Sequence, residues 1–536
     1  MSKPRIKVPA GRGGDASRPQ AAYLRDTQSG VIAARPASLR EHRDEVRRVW
    51  WRAAGLAMDM LANSGRLKGV ADQIIVDTVG VELSLNPQPD LSRFGYDEKE
   101  AAEWIRMVKN RFKVWAWNAA ECDFRGKFTI PQQTDIGLRN WLAFGESLGV
   151  VSYMPSAMRR RYGIRSGTKF LLVSPQKLVQ DTSEVEGLFQ GIVHDENGRP
   201  THYRLQQKEA GVTVKRDHAA FDRDGRQLVM HTFDPLSADD VRGITPLAAT
   251  FRKYLMAENL DDATAQMAFL QTIYAVTLTS DRPSADAFEA LEVLKEHGGE
   301  NAEAVASDFT NYFKAQLDRA AESELRVGGD PTVSHLAPGE KLSIESSKIP
   351  GRDYLPFAGA LHRETARALG VTYGGYTMDY TDATYASTMM ENSAVWPIAV
   401  RRTDRIAAPH VLVPYASWLD EEIGEGRIEF KGGREAYFAN RDAILWASCL
   451  GPSKPTADDL KRAKASSERI ANGTSNLEVE CAELGIDPEE NFESRQRWHQ
   501  RHLDAGMPSP FERGLPSDPA GKAETDDAPA KRKEDV

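Results

Sequence analysis

The chain has 536 residues, 27% of them charged and 41% apolar, with a formal net charge of −9 at neutral pH. That length exceeds one ordinary domain, and so mild an acidic balance excludes a basic coat for nucleic acid. Three cysteines (Cys122, Cys449, Cys481), far apart and odd in number, exclude a disulfide framework or a zinc cluster and fit a reducing, cytoplasmic origin.

Residues 1–40 are rich in Arg, Gly, Pro and Ser and poor in large apolar side chains, so they are expected to form a flexible basic arm. Lys3, Arg5, Lys7, Arg12, Arg18 and Arg25 suit it to transient nucleic-acid contact. The arm holds no apolar signal core, and no run in the chain reaches the ~18 apolar residues of a membrane helix. Helical spacing then runs from Arg40 to Asn63 (Val46, Val49, Trp50, Ala53, Leu56, Met60), where Asn63-Ser64-Gly65 stops it. A second helical piece around Val70, Ile74 and Ile75 leads into Val79–Leu85, whose alternation predicts a strand. Glu98 to Trp117 is amphipathic, with Trp104, Val108, Phe112 and Trp115 on one core-facing side. Another helix is expected from about Asp135 to Gly145.

From Val150 to Pro235 short apolar runs alternate with turn signals such as Glu196-Asn197-Gly198 and Asp224-Gly225, which predicts a β-rich insert. A long helix follows. Thr245 is placed to cap it, Pro246 falls at its first position, and Leu247 to Ala275 contains no Gly or Pro. That is roughly 30 residues, or ~45 Å. Its apolar residues recur at helical spacing, and Glu258, Asn259, Asp261 and Asp262 give it an acidic face. Beyond it are expected a polar helical stretch (Asp286 to Glu324), a strand (Lys341 to Ser346) and a helix from Tyr354 to Leu369 ended by Gly370. Tyr373 to Tyr385 holds too many glycines and turn formers for a regular element. Helical spacing returns from Met389 to Glu425; Pro452 to Gly506 is polar and helical, and beyond Pro508 the composition is that of a disordered tail.

The motifs that look chemical fail on context. Gly145-Glu146-Ser147-Leu148-Gly149 has the G-x-S-x-G form of serine hydrolases, but it follows a helix and precedes a strand, the reverse of a nucleophile elbow. Gly163 to Lys169 resembles a phosphate loop, yet it is one residue short and leads into a strand. His362 and Glu364 are expected to be a solvated helix face rather than a metal site, and Arg159-Arg160-Arg161 beside Tyr162 is a basic patch whose positive reading is contact with nucleic acid or an acidic partner. No catalytic constellation, cofactor site or metal site emerges.

The order of several segments is more specific than any one of them. Trp115 to Phe128 carries Trp-x(6)-Cys-Asp-Phe-x-Gly, and Phe144-Gly-Glu-Ser147 follows at a helix end. Then come Met230-His-Thr-Phe233, Arg242-Gly-Ile-Thr-Pro-Leu247, Leu336-Ala-Pro-Gly-Glu340, Ala366 to Val371 and Asp379 to Ser387. From about residue 40 to 505 this succession resembles the lambda-type phage portal proteins.

The resemblance implies an α+β, mainly helical portal-type subunit and a ring, a dodecamer, at one vertex of the virion capsid, assembled in the host cytoplasm. It implies passage of double-stranded DNA and partners in the terminase large subunit, the major capsid or scaffold protein and the head–tail connector, with no membrane. Residues 41–149 become the first part of a wing and a descending stem helix, 150–240 a clip and 241–281 an ascending stem helix. Residues 282–455 become the second part of the wing, with a tunnel loop near 376–389; 456–505 become a crown and 506–536 a disordered tail. The candidate DNA-channel residues are Glu258, Asp261 and Asp262 on the long helix and Tyr380, Thr381, Asp382, Thr384 and Tyr385 in the loop. Repeated by ring symmetry, the acidic residues would repel phosphates and let DNA slide. The loop departs from the family in lacking an arginine after Ser387, which puts its DNA contact in doubt; Arg401, Arg402 and Arg405 are the substitutes in reach. The competing readings are a serine hydrolase using Ser147 and a capsid or connector protein without a channel.

Overall fold

The computed structural model describes residues 41–209, 211–272, 276–280, 307, 311, 340–344, 354–381, 383–456 and 458–511. The basic arm, the stretch from Asp286 to Glu324 (apart from 307 and 311) and the tail after Phe511 lie outside them. The chain divides into one unit of residues 1–249 and 368–536 and a second of residues 250–367.

The first unit begins with α1 (His42–Asn63), which buries Val46, Trp50, Ala53, Ala57 and Met60 along one stripe. Ser64 ends it and starts α2 (Gly65–Val79), its hydroxyl accepting from Leu67 N–H. Because α2 runs on to Val79, the expected strand is shorter and later: β1 (Ser84–Pro87) pairs antiparallel with β11 (Ala447–Leu450). The alternation at Val79–Leu85 straddles a helix end and a strand start, and Gly80 at φ 66° makes the break.

In α3 (Glu98–Ala116), Asp97 and Glu100 form a reciprocal capping box. Its aromatic stripe is core, as expected: Phe112 lies edge-on to Tyr415 and Trp418, at ring separations of 5.3 and 5.4 Å. Helix α4 (Ile130–Phe144) starts five residues before the expected Asp135, because Thr129 and Gln132 form a second capping box and Pro131 sits in the first turn. Nine of its fifteen residues are buried, and it packs against α1, α2 and the later α10 (Pro409–Gly424).

The β-rich insert starts at Glu146, earlier than the expected Val150. Strands β2 (Glu146–Tyr153), β3 (Thr168–Val173) and β8 (Val229–Phe233) form an antiparallel sheet in the order β3-β2-β8. Short α5 (Ser156–Tyr162) links β2 to β3. A second sheet runs β4 (Leu188–Phe189), β5 (Ile192–His194), β6 (Pro200–Glu209), β7 (Val212–Ala219). One apolar cluster, including Leu148, Val150, Ile192, Tyr203, Leu205 and Val229, joins the two sheets and gives the insert its own core.

The second unit contains α6 (Phe251–Thr272), the antiparallel pair β9 (Val276–Ser280) and β10 (Glu340–Ile344), and most of α7 (Tyr354–Leu369). Helix α6 starts later than the expected Leu247, and the expected end at Ala275 lies outside the described residues. Its lead-in, Pro246–Ala249, winds as a 3-10 turn, although Thr245 does cap it by accepting from Leu247 N–H at 3.2 Å. Helix α7 and its stop at Gly370 (φ 64°) match the expected limits.

After Gly370 a short helix, α8 (Tyr373–Thr377), does form despite the glycines of the Tyr373–Tyr385 stretch. Thr372 caps it, and Tyr380 lies so close to Gly374 that a Cβ there would sit 2.6 Å from the ring. Helix α9 (Tyr385–Arg402) passes through a π-helical turn (Thr403–Ala407) into α10. Beyond β11 lie α11 (Asp459–Ala471), α12 (Leu477–Glu483) and α13 (Pro488–Asp504).

Candidate functional site

On α6, Tyr254, Glu258 and Asp261 share one face at i, i+4 and i+7 spacing. Tyr254 is buried and its hydroxyl donates to Glu258 at 2.5 Å. Asp261, half-buried, accepts from the Tyr354 hydroxyl of α7 at 2.6 Å. Both carboxylates are therefore engaged in tyrosine contacts within their own unit, while Asp262 is exposed. The expectation of an apolar face opposite an acidic one needs correction. Apolar Phe251, Tyr254, Leu255, Met256 and Leu260 are spread around the helix, so α6 has no single apolar stripe.

The loop residues sit together. Tyr380, Thr381, Thr384 and Tyr385 are all exposed between α8 and α9, while Asp382 lies outside the described residues. The loop leaves α8 through Met378, a left-handed residue at φ 56° that is not glycine. Asp379 then holds the turn by accepting from Thr381 N–H and hydroxyl at 3.1 and 2.6 Å, which keeps its carboxyl below the usual range. Thr384 caps α9 in a box with Ser387. Tyr385 lies under the Lys461 ammonium, 4.9 Å from the ring centre. A cleft of about 800 Å³ opens beside it, walled by Met389, Trp396 and Val400 of α9, by Leu450, and by Lys461 and Arg469 of α11.

The suggested arginine substitutes are mostly engaged elsewhere. Arg401 pairs with Asp234 at 2.5 Å. Arg402 donates to Leu369 O and stacks over Trp141, and burial lowers its pKa to about 10. Arg405 is exposed.

Three polar clusters that the sequence left invisible hold the body together. In the first, Arg242 is fully buried; its Nε donates to both Glu146 oxygens at 2.8 Å, its Nη1 donates to Gln190 O, and its guanidinium lies 4.5 Å from the Trp50 ring centre. His231 of β8 donates to Glu146 at 3.0 Å. Burial pushes the Glu146 carboxyl up, but Arg242 and His231 outweigh it and hold it at about 2. The glycines make this approach possible, since a Cβ on Gly243 would lie 2.1 Å from the Gly145 carbonyl oxygen. Three of the segments that carry the family resemblance (144–147, 230–233 and 242–247) thus converge at one point.

In the second cluster Ser147 Oγ lies 2.8 Å from His410 Nε2. His410 Nδ1 faces the Ala407 carbonyl at 3.2 Å; a carbonyl only accepts, so Nδ1 carries the proton and Ser147 donates to Nε2. Burial lowers His410 to about 4, so the ring is neutral. Ser147 is fully buried, and a carbonyl stands where a triad would have its carboxylate, so the pair suits packing rather than nucleophilic attack.

In the third, the loop resembling a phosphate cradle does bind anions, but they are the chain's own carboxylates. Gly167 and Thr168 N–H donate to Glu421 at 2.7 and 2.6 Å, and Arg165 and Ser166 N–H donate to Glu121 at 2.9 and 2.8 Å. Among the described residues no cluster of metal-binding side chains occurs, and no helix is long and apolar enough to cross a membrane.

Comparison with known proteins gives this arrangement its family. The sequence profile of "Phage portal protein, lambda family" matches residues 29–402, well over half of the chain. Portal protein B of Escherichia phage lambda is 23% identical over 481 residues, covering 86% of this chain and 86% of that protein. The portal protein of Escherichia phage N15 is 24% identical over 470 residues, covering 85% of each. Among solved structures, a chain from the neck of an empty GTA particle is similar at a TM-score of 0.41 and 13% identity, over 90% of this chain and 98% of that one. The neck of a native GTA particle gives 0.35 and 13%, over 78% and 98%. The chain belongs to the lambda family of phage portal proteins, structural components of the phage capsid.

Proposed function

We propose that copies of this chain form a closed ring, a dodecamer, at one capsid vertex, and that double-stranded DNA enters and leaves the particle through its centre. The ring docks the terminase large subunit during packaging and the head–tail connector afterwards, and meets the major capsid or scaffold protein at its rim. The β-rich insert is the clip, α6 and α4 are stem helices, and α11 to α13 form the crown.

The observation that carries the ring is a set of helices left largely uncovered by the described residues of their own chain. Helix α9 is eighteen residues long, yet only Ala399 is fully buried and Tyr385, Met390 and Val400 are exposed. Helices α11 and α13 bury no residue, yet they present Leu460, Ile470, Phe492 and Trp498 to solvent. Apolar residues left exposed along several helices mark surfaces that a partner covers.

Within such a ring the 378–385 loop offers hydroxyls and two tyrosine rings rather than fixed cations. That chemistry allows brief phosphate and sugar contacts without the tight counterion-releasing grip that would act as a brake. Asp262 is the acidic residue of α6 best suited to the channel wall, because Glu258 and Asp261 are held by tyrosines. Electron microscopy of the full chain tests the ring: annular particles with a central hole wide enough for a duplex support it, and monomers or flat lattices overturn it. Asp262→Lys should slow DNA entry in a packaging assay while ring formation is spared; normal packaging would remove Asp262 from the wall.

A further inference from the structure

A ring of more than two copies closes through a head-to-tail interface, which needs two different and complementary patches on each subunit. The β-rich insert carries such a pair. On α5, Arg159 is drawn inward, donating to Tyr153 and Glu425, but Arg160 and Arg161 are exposed and, among the described residues, make no ion pair. Beside them Tyr162 is 58% exposed, with the Arg161 guanidinium 5.9 Å from its ring centre. A cationic and aromatic surface is thus presented outward.

The complement lies on the same module. Glu184-Val185-Glu186 forms a single 3-10 turn closed by Gly187 N–H on Glu184 O. Val185 at its tip is 99% exposed, flanked by Glu184 in solvent and by Glu186, whose carboxylate is exposed but accepts from Arg204 of the same chain at 3.0 Å. Strand β2 separates the two patches. Helix α5 follows the Tyr153 end of that strand, whereas the Glu146 end is joined through Arg242 to Gln190, in the loop that follows the turn. Eight residues of strand place those ends roughly 25 Å apart.

We propose that the Glu184–Glu186 turn of one subunit seats on the Arg160-Arg161-Tyr162 surface of its neighbour, a reading that rests on the ring proposed above. The valine packs on the tyrosine ring and Glu184 meets the two arginines, while Glu186 stays paired with Arg204 and holds the turn. An opposite-charge rim around an apolar tip fixes register and partner choice more than it adds affinity.

The test uses the full chain under conditions where the wild type forms rings. With Tyr162→Cys and Val185→Cys combined, a short bismaleimide reagent should give a ladder of covalent oligomers, and either cysteine alone should not. The double reversal R160E/R161E should raise the concentration needed for half-assembly about tenfold or more, E184R, which leaves the Glu186–Arg204 pair intact, should raise it in the same direction, and combining the two reversals should restore most of the loss. Normal wild-type rings with no ladder, and with both reversals assembling normally, would overturn this contact while leaving the ring intact. Reversed rings of normal size that bind duplex DNA more weakly would overturn it in favour of a phosphate contact. A wild type that forms no rings at all would remove the ring reading itself.

Discussion

The cluster around Glu146 and the helices α9, α11 and α13 are opposite solutions to burial. At Glu146 a carboxylate, a guanidinium and an imidazole are withdrawn from water, and each finds its partner within the same chain. Along α9, α11 and α13 only Ala399 is fully buried, and apolar side chains such as Met390, Leu460 and Trp498 are left in solvent. The first region is complete in one subunit. In the ring proposed above, the second is completed by other copies. Mutations in the first should therefore change folding stability, and mutations in the second should change assembly.

The largest effect on folding is expected from Arg242→Ala. It leaves Glu146 charged and buried without its guanidinium, a loss of about 3–5 kcal/mol that denaturant unfolding would read. An unchanged midpoint would mean that the cluster does not stabilise the body.

Acid provides the next test. The folded pKa of His410, about 4, lies below its unfolded value, so the unfolded chain takes up the proton first. Stability is full above the unfolded value of about 6.5 and falls as the pH drops towards 4, by about 3 kcal/mol in all. Glu146, held at about 2, then loses its contribution as the pH falls from the unfolded carboxylate range to about 2. Unfolding curves across this range should show the His410 window flattened in His410→Gln.

Ser147→Ala should be milder, about 1–2 kcal/mol, because it leaves His410 Nε2 without its donor. A fluorophosphonate probe should leave the wild type unlabelled. Labelling at Ser147 would show that the serine is reachable, against its burial in the structure.

The smallest effect on folding belongs to the uncovered helices. Met390 on α9 is 74% exposed, and Met390→Asp should change monomer stability by no more than about 0.5 kcal/mol. The same substitution should raise the half-assembly concentration about tenfold, measured by sedimentation. Equal effects on both quantities would erase the distinction between the two regions.

What could be read from the sequence follows the reach of each interaction. Local signals spoke clearly: the heptad-like stripes of α1 and α3, the glycine stop after α7 and the turns at Asn197-Gly198 and Asp224-Gly225 depend on neighbours a few residues away. Short α8 was missed because its cap at Thr372 and the ring of Tyr380 offset the weak helix propensity of its glycines. The Glu146–Arg242 and Ser147–His410 pairs were out of reach, since their members lie 96 and 263 residues apart. Context did argue correctly against an elbow serine, but nothing in the motif announced a histidine beside it. The exposed tyrosines and threonines near residue 380 were located only through family resemblance. The restraint of Glu258 and Asp261 depends on two tyrosines, one of them on a helix that begins about ninety residues further along the chain.

Hydrogen exchange of the full chain, compared below and above its assembly concentration, tests the central contrast most directly. Amides of α9 and α11 to α13 should gain protection on assembly, while those around Glu146, Arg242 and His410 should exchange equally slowly in both states. Equal protection of α9 and α11 to α13 in the two states would contradict it, because those helices would then be covered by nothing that assembly supplies.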